Sequence, residues 1–189
     1  MSSVAERTTE GGLERLRRLL LKEGGLMASL VAASAPEPAG CDNEPRLSPG
    51  SVAAEGPRAS GRREEYELLV EAIYEGYLLH YGAPRVVHVP EADLRLLAGD
   101  QLYALGLARL VALGDTPAVA ELADTITLSA LAQGAGDRAL AEAVWAAGAR
   151  AVGWGSSDRH VQAKRLVCNG DPAAIEAMRT SAGATPASP

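Results

Sequence analysis

Asp100 is the titratable residue whose setting most demands an explanation. It lies in the stretch Leu94–Asp115, LRLLAGDQLYALGLARLVALGD, which reads as one long helix, apolar over most of its circumference. At 100° per residue, Arg95 and Arg109 fall about 40° apart, with Gln101 about 80° beyond Arg109. Asp100 falls away from both arginines, among Leu96, Leu97, Tyr103, Ala104, Leu107 and Val111. An amphipathic surface helix keeps its acids beside its arginines, so the sequence predicts that Asp100 faces the apolar, buried side. A buried carboxylate must find a partner or take up a proton. Two roles fit: a structural acid satisfied by a backbone N–H, Tyr103 or a neighbouring helix, or a ligand-binding or relay group in a pocket that Tyr103 shares.

A second set of acids, Glu64, Glu67, Glu71 and Glu75, lines one face of the segment REEYELLVEAIYEGYLLHY. Four carboxylates so spaced have the oxygen chemistry to hold a divalent cation. On a helix whose opposite face carries Tyr66, Leu69, Val70, Ile73, Tyr77 and Tyr81, the plainer expectation is a solvated stripe. His80, His88 and His160 are dispersed and lack ligand-spaced companions, which suits surface or capping roles. Cys41 and Cys168 form neither a metal motif nor a disulfide framework. The chain has no Gly-rich phosphate loop, nucleophile elbow or HExxH motif. Gly153-Trp154-Gly155 reads as a tight turn, because no strand precedes it.

The elements that must position these residues are helices. The chain has 189 residues, a net charge of −6, 47% hydrophobic residues and no Phe. A core rich in Ala and Leu and poor in β-branched and aromatic side chains favours an all-α helical bundle. The acidic balance argues against nucleic acid as the main partner. Gly82 and Pro84 end the first long helix, and the extended connector GAPRVVHVPEAD leads to the Asp100 helix. Gly114 ends that helix, Asp115 or Thr116 caps the next, and Pro117 sits in its first turn. Val119, Leu122, Ala123, Ile126 and Ala130 form its buried face. After Gly134–Gly136, Asp137 caps a third helix that Trp145 anchors. A short basic helix DRHVQAKRLVC and a final helix to about Arg179 follow. This gives a helical core over residues 63–155, short C-terminal helices over 156–180, and a disordered tail over 181–189.

Ahead of the core, residues 36–62 are rich in Pro, Gly, Ser and Glu and read as a disordered linker. Residues 1–35 form a basic amphipathic or signal-like segment. As a helix, Leu13, Leu16 and Leu20 share a face, and residues 13–22 could touch a membrane surface or a partner. As a signal, Arg17-Arg18 followed by Leu19-Leu20-Leu21-Lys22 resembles a twin-arginine motif, with Ala33-Ser34-Ala35 as cleavage site. Ala39-Gly40-Cys41 ends like a lipoprotein box, interrupted upstream by Pro36, Glu37 and Pro38. A frayed basic helix with no address function is the third reading. A cytoplasmic protein is the expectation, with export as the alternative.

The run from Gly82 to Gly136 resembles the middle of the all-trans polyprenyl diphosphate synthase family. Pro84-Arg85-Val86-Val87-His88 is similar to the family's PTxH connector, and Leu97-Ala98-Gly99-Asp100-Gln101-Leu102-Tyr103-Ala104-Leu105 to its AGDxLxxxA helix. The turn at Leu113-Gly114-Asp115 and the Ala118–Ala130 helix keep the same rhythm. The resemblance implies a truncated isoprenoid-synthase-like scaffold in which His88, Gly99 and Asp100 occupy motif positions. It does not imply the family's catalysis, which holds diphosphate through magnesium on two DDxxD motifs. This chain contains no DDxxD, and ELLVEAIYEG stands where the first should be. Without clustered cations, a diphosphate leaving group has no electrostatic support.

The resulting expectation is a non-catalytic helical partner or accessory subunit, homo- or hetero-oligomeric, with no catalytic residue, metal or cofactor. The alternative is an isoprenoid- or quinone-binding protein, or a divergent prenyl-transfer enzyme using Mg2+, with Asp100, Tyr103 and His88 as ligand-binding residues.

Overall fold

A computed structural model of the chain describes residues 11–31 and 48–183. Among the described residues the fold is all-α. Its helices are α1 (Gly12–Glu23), α2 (Gly25–Leu30), α3 (Pro49–Glu55), α4 (Arg63–Tyr81), α5 (Ala92–Ala112), α6 (Thr116–Gly134), α7 (Arg138–Trp154), α8 (Asp158–Cys168) and α9 (Ala174–Gly183). A 3-10 turn, Pro57–Ala59, joins α3 to α4.

The predicted punctuation is in place. Gly114 takes φ 77° after α5. Asp115 then caps α6 by accepting from the Ala118 N–H at 3.0 Å, with Pro117 in the first turn. Asp137 caps α7 through the Leu140 N–H at 2.9 Å, and Ser157 caps α8 through the His160 N–H at 3.2 Å. α4 is the centre of the N-terminal half, with α1, α3 and α5 packed on it. α6 and α7 form the next hairpin, and α8 and α9 close over it. Trp145 is buried and meets the Tyr74 ring edge-on at 4.9 Å.

Two features of the N-terminal half correct the sequence reading. The linker expected over residues 36–62 does not hold at its C-terminal end. Ser48 caps α3 by accepting from the Ser51 N–H, Pro49 opens it, and Ala53 and Ala59 are fully buried. α3 presses onto α7 so closely that a Cβ on Gly56 would lie 2.1 Å from the Gly153 carbonyl oxygen. Residues 36–47 lie outside the described residues. α1 also belongs to the bundle: Leu16 and Leu20 are buried in a cluster with Ala72, Leu79, Val87 and Leu102. The apolar face expected to touch a membrane is therefore already covered within the fold. The expected cleavage and lipoprotein sites, at 33–35 and 39–41, lie outside the described residues. Among the described residues, no helix is long and apolar enough to cross a membrane. At the other end, α9 runs through Gly183 and Ser181 is buried, so the disordered tail expected from residue 181 does not hold at its start; residues 184–189 lie outside the described residues.

A further correction concerns the acidic stripe of α4. Glu64 is exposed, but Glu71 and Glu75 are 1% and 0% exposed. Oxygen Oε1 of Glu75 accepts from three successive backbone N–H groups, those of Arg85 (2.7 Å), Val86 (2.6 Å) and Val87 (3.2 Å). Its Oε2 takes the Arg85 Nε at 3.2 Å, and the other end of that guanidinium lies 2.7 Å from Glu71 Oε2. Glu71 Oε1 accepts from the Gly50 N–H at 2.9 Å, and Glu67 accepts from the Ser51 hydroxyl and pairs with Arg15. One carboxylate per turn thus holds α1, α3 and the 82–91 connector onto α4. Pairing with Arg and backbone donors is what makes burial of these acids tolerable.

Candidate functional site

The three residues singled out by sequence do not form one site. Asp100 is 68% exposed, which contradicts the expected buried position. Its angular neighbours are as deduced, but Leu96, Leu97, Ala104 and Val111 are exposed with it, and only Tyr103 and Leu107 pack partly against the core. Arg95 misled because it serves the inside, whereas Arg109 sits in an exposed ion pair. Arg95 reaches under α5 and donates to the carbonyls of Leu79 (2.6 Å), Leu78 (3.2 Å) and Gly82, closing the C-terminus of α4. Arg109 pairs with Glu23 of α1. The buried face of α5 is instead Ala98, Gly99, Leu102, Gly106 and Leu110, where small residues let α4 approach. Asp100 Oδ1 lies 3.2 Å from His80 Nε2, and the His80 ring stacks on Tyr103 at 5.3 Å and 4°. Asp100 and Tyr103 are thus brought together through His80, and burial raises the Tyr103 phenol well above its usual value. His88 is apart from them: its side chain is exposed, and its backbone N–H donates to Leu30 at 3.1 Å beside the Val31–Val87 bridge.

Sequence reasoning missed the densest group of reactive side chains, in the C-terminal half. Ser157 starts α8 so that His160 and Lys164, one turn apart, face α6. α6 presents Glu121 and Asp124, and α9 presents Ser181. His160 Nε2 lies 2.6 Å from Glu121 Oε1, and His160 Nδ1 lies 2.8 Å from the Ser181 hydroxyl. Lys164 Nζ lies 2.9 Å from Glu121 and 2.8 Å from Asp124. The only signal was the His160–Lys164 spacing, since Glu121 and Ser181 lie 39 and 21 residues from His160.

A Ser–His–Glu relay is the arrangement used to activate a serine nucleophile. Here Glu121, His160 and Ser181 are all buried. The neighbouring cleft of about 510 Å3 is lined by Asp124, Val161, Lys164, Arg165, Cys168 and Asn169, and includes none of the three. A nucleophile needs an approach for the electrophile and donors aimed at the developing oxyanion, and neither Ser181 nor His160 borders that cleft. The group ties α6, α8 and α9 together. Burial alone would raise the Glu121 carboxyl, but the hydrogen bond and charge of His160, and then Lys164, outweigh it and hold the carboxyl below its usual range. Asp115 is held low in the same way, with burial outweighed by Tyr66, the Ala118 N–H and Arg58. Its bond in turn adds to burial in pushing the Tyr66 phenol up to about 12.

A carboxyl depressed in the fold stabilises fully above its unfolded value and loses that contribution as pH falls through its folded value. Urea midpoints should therefore fall between about pH 5 and the lower folded values, and Glu121→Gln should flatten part of that fall. Equal acid slopes in the two proteins would show that Glu121 carries none of it.

Much of what α5 leaves outside is apolar, beside the exposed Asp93, Asp100 and Gln101. Leu97 is 63% exposed, Val111 56% and Leu96 46%, with Ala104 and Ala108 exposed on the same arc. Among the described residues, no group of three or more His, Cys, Asp or Glu is placed to hold a metal ion. Comparison with known protein families, curated proteins and solved structures finds no match to this chain.

Proposed function

We propose that this is a non-catalytic helical protein that works by association, as an accessory or partner subunit, with the outer face of α5 as its contact surface. The observation that carries this reading is the apolar run along that face. Isolated exposed leucines are ordinary, but Leu96, Leu97, Ala104, Ala108 and Val111 are exposed together on one side of one helix, which marks an interaction surface. Asp100 stands within the same face and is 68% exposed, so it adds a charge that a partner must match. The polyprenyl-synthase-like pattern around Gly99 and Asp100 fits a scaffold kept for shape. No observation favours an isoprenoid or quinone pocket, since the faces of Tyr103 and His80 are engaged with each other.

Purification of tagged protein from its native source tests this. The double variant Leu97→Glu/Val111→Glu should lose a protein that accompanies the wild type in stoichiometric amount, or lose self-association, at unchanged helicity. Identical companions and identical mass for both proteins would remove the proposal.

A further inference from the structure

We infer that α8 is an acid-released latch. The Glu121 carboxylate pins it to α6, and protonation of that one group lets α8 swing away about the Asn169-Gly170 turn.

The joint between α6 and α8 is polar and gapped. The bonds that cross it run from Glu121 to His160 (2.6 Å) and Lys164 (2.9 Å), and from Asp124 to Lys164 (2.8 Å). Beside them lies the cleft of about 510 Å3, with Asp124 on its α6 wall and Val161, Lys164, Arg165, Cys168 and Asn169 on its α8 wall. The apolar side of α8 looks elsewhere. Ala163 and Val167 join a cluster with Ala174 and Met178 of α9 and Val144 and Ala147 of α7, to which α6 gives only Leu128 among the buried members. α8 packs chiefly on α9, and α9 on α7. The Ser181 bond ties His160 to α9 and does not cross the joint. Charge, more than packing, therefore holds α8 against α6.

One carboxylate carries most of that load. Glu121 is buried and bonds both α8 side chains, whereas Asp124 is 55% exposed. The other charged residues of the packed elements face away. Asp158, Arg159 and Arg165 on α8, Arg138 and Glu142 on α7, and Glu176 and Arg179 on α9 are exposed, and Arg150 lies over the Trp154 ring at 4.0 Å. Burial raises the Glu121 carboxyl, but the hydrogen bond and charge of His160, and then those of Lys164, outweigh it and hold the carboxyl below its usual range. Its grip is whole above the ordinary glutamate value and is lost as pH falls through the lower folded one. With Glu121 neutral, His160 and Lys164 stand one turn apart with Asp124 as their remaining counter-charge. Gly170, at φ 63°, supplies the pivot. An 11-residue helix is marginal in water without tertiary support, so a freed α8 frays.

Hydrogen exchange on the full chain between pH 7 and pH 4 tests this, read as protection relative to each amide's intrinsic rate. Protection of residues 161–167 in α8 should fall several-fold more than that of residues 144–152 in α7, before circular dichroism reports global unfolding. Glu121→Gln should show the low α8 protection already at pH 7 and keep it on acidification, with α7 as protected as in the wild type. Asp124→Asn should respond to acid as the wild type does. Equal loss of protection in α8 and α7 at every pH overturns the inference. So does an acid response in Glu121→Gln as large as the wild type's, or one abolished by Asp124→Asn. If Glu121→Gln does not fold, the wild-type and Asp124→Asn series decide it.

Discussion

Glu75→Ala is expected to lower unfolding stability by about 3–5 kcal/mol, the cost of removing one partner from a buried ion pair. Glu75 is fully buried and its carboxylate accepts from the backbone N–H groups of Arg85, Val86 and Val87. Its removal strands three backbone N–H groups and leaves the Arg85 guanidinium with Glu71 alone. Each buried donor without an acceptor carries its own desolvation penalty of roughly 1–3 kcal/mol, partly relieved as water enters. Glu75→Gln should fall between, because an amide oxygen still accepts but the charge is gone. Glu64→Ala, on the same helix but exposed, should stay within about 0.5 kcal/mol of wild type. Urea unfolding of the three variants decides the matter. A Glu75→Ala protein as stable as Glu64→Ala would mean that the carboxylates of α4 hold nothing.

Gly153→Leu is expected to destabilise by at least the roughly 3 kcal/mol upper end of ordinary overpacking. A Cβ at Gly153 would lie 2.5 Å from the Ala53 carbonyl oxygen and 3.2 Å from the Gly56 Cα. Those atoms are backbone, so no rotamer change can make room, and α3 must leave α7. The diagnostic is local as well as global: limited proteolysis should open residues 48–59 well before the rest of the chain. Gly134→Ala is the control, since nothing lies within 4 Å of a Cβ there, and helix propensity alone should leave it neutral or slightly stabilising. Protection of residues 48–59 in Gly153→Leu at the wild-type level would contradict the packing of α3.

Helix positions were legible because their signals are local. Gly82 and Pro84, Gly114 with Asp115 and Pro117, Gly136 with Asp137, and Asn169-Gly170 each act within one turn of the boundary they set. α3 had such a signal in Ser48-Pro49, a cap followed by proline at the first helical position, but the density of prolines around it read as a linker. The faces of the helices were less legible. Periodicity tells which residues share an arc, not what covers the arc. Glu71 and Glu75 are buried because α3 and the connector reach over them, and those donors lie 21 and about ten residues away. Asp100 is exposed because Arg95 was needed under α5 to close α4. In both places charge was taken as the mark of solvent, and in both the charge was spent on orphan helix-terminal and backbone groups. The Glu121–His160–Ser181 group was invisible for the same reason: three helices distant in sequence supply it.

The proposed association stands or falls on whether the outer face of α5 is covered in the protein's working state. Hydroxyl-radical footprinting reads that coverage side chain by side chain, in extract of the native source and again after purification and dilution. The account predicts that Leu97 and Val111 are shielded in the extract and oxidise several-fold faster after dilution, while Leu26 and Leu131, exposed elsewhere on the fold, react equally in both. Equal oxidation of Leu97 and Val111 under the two conditions would contradict it.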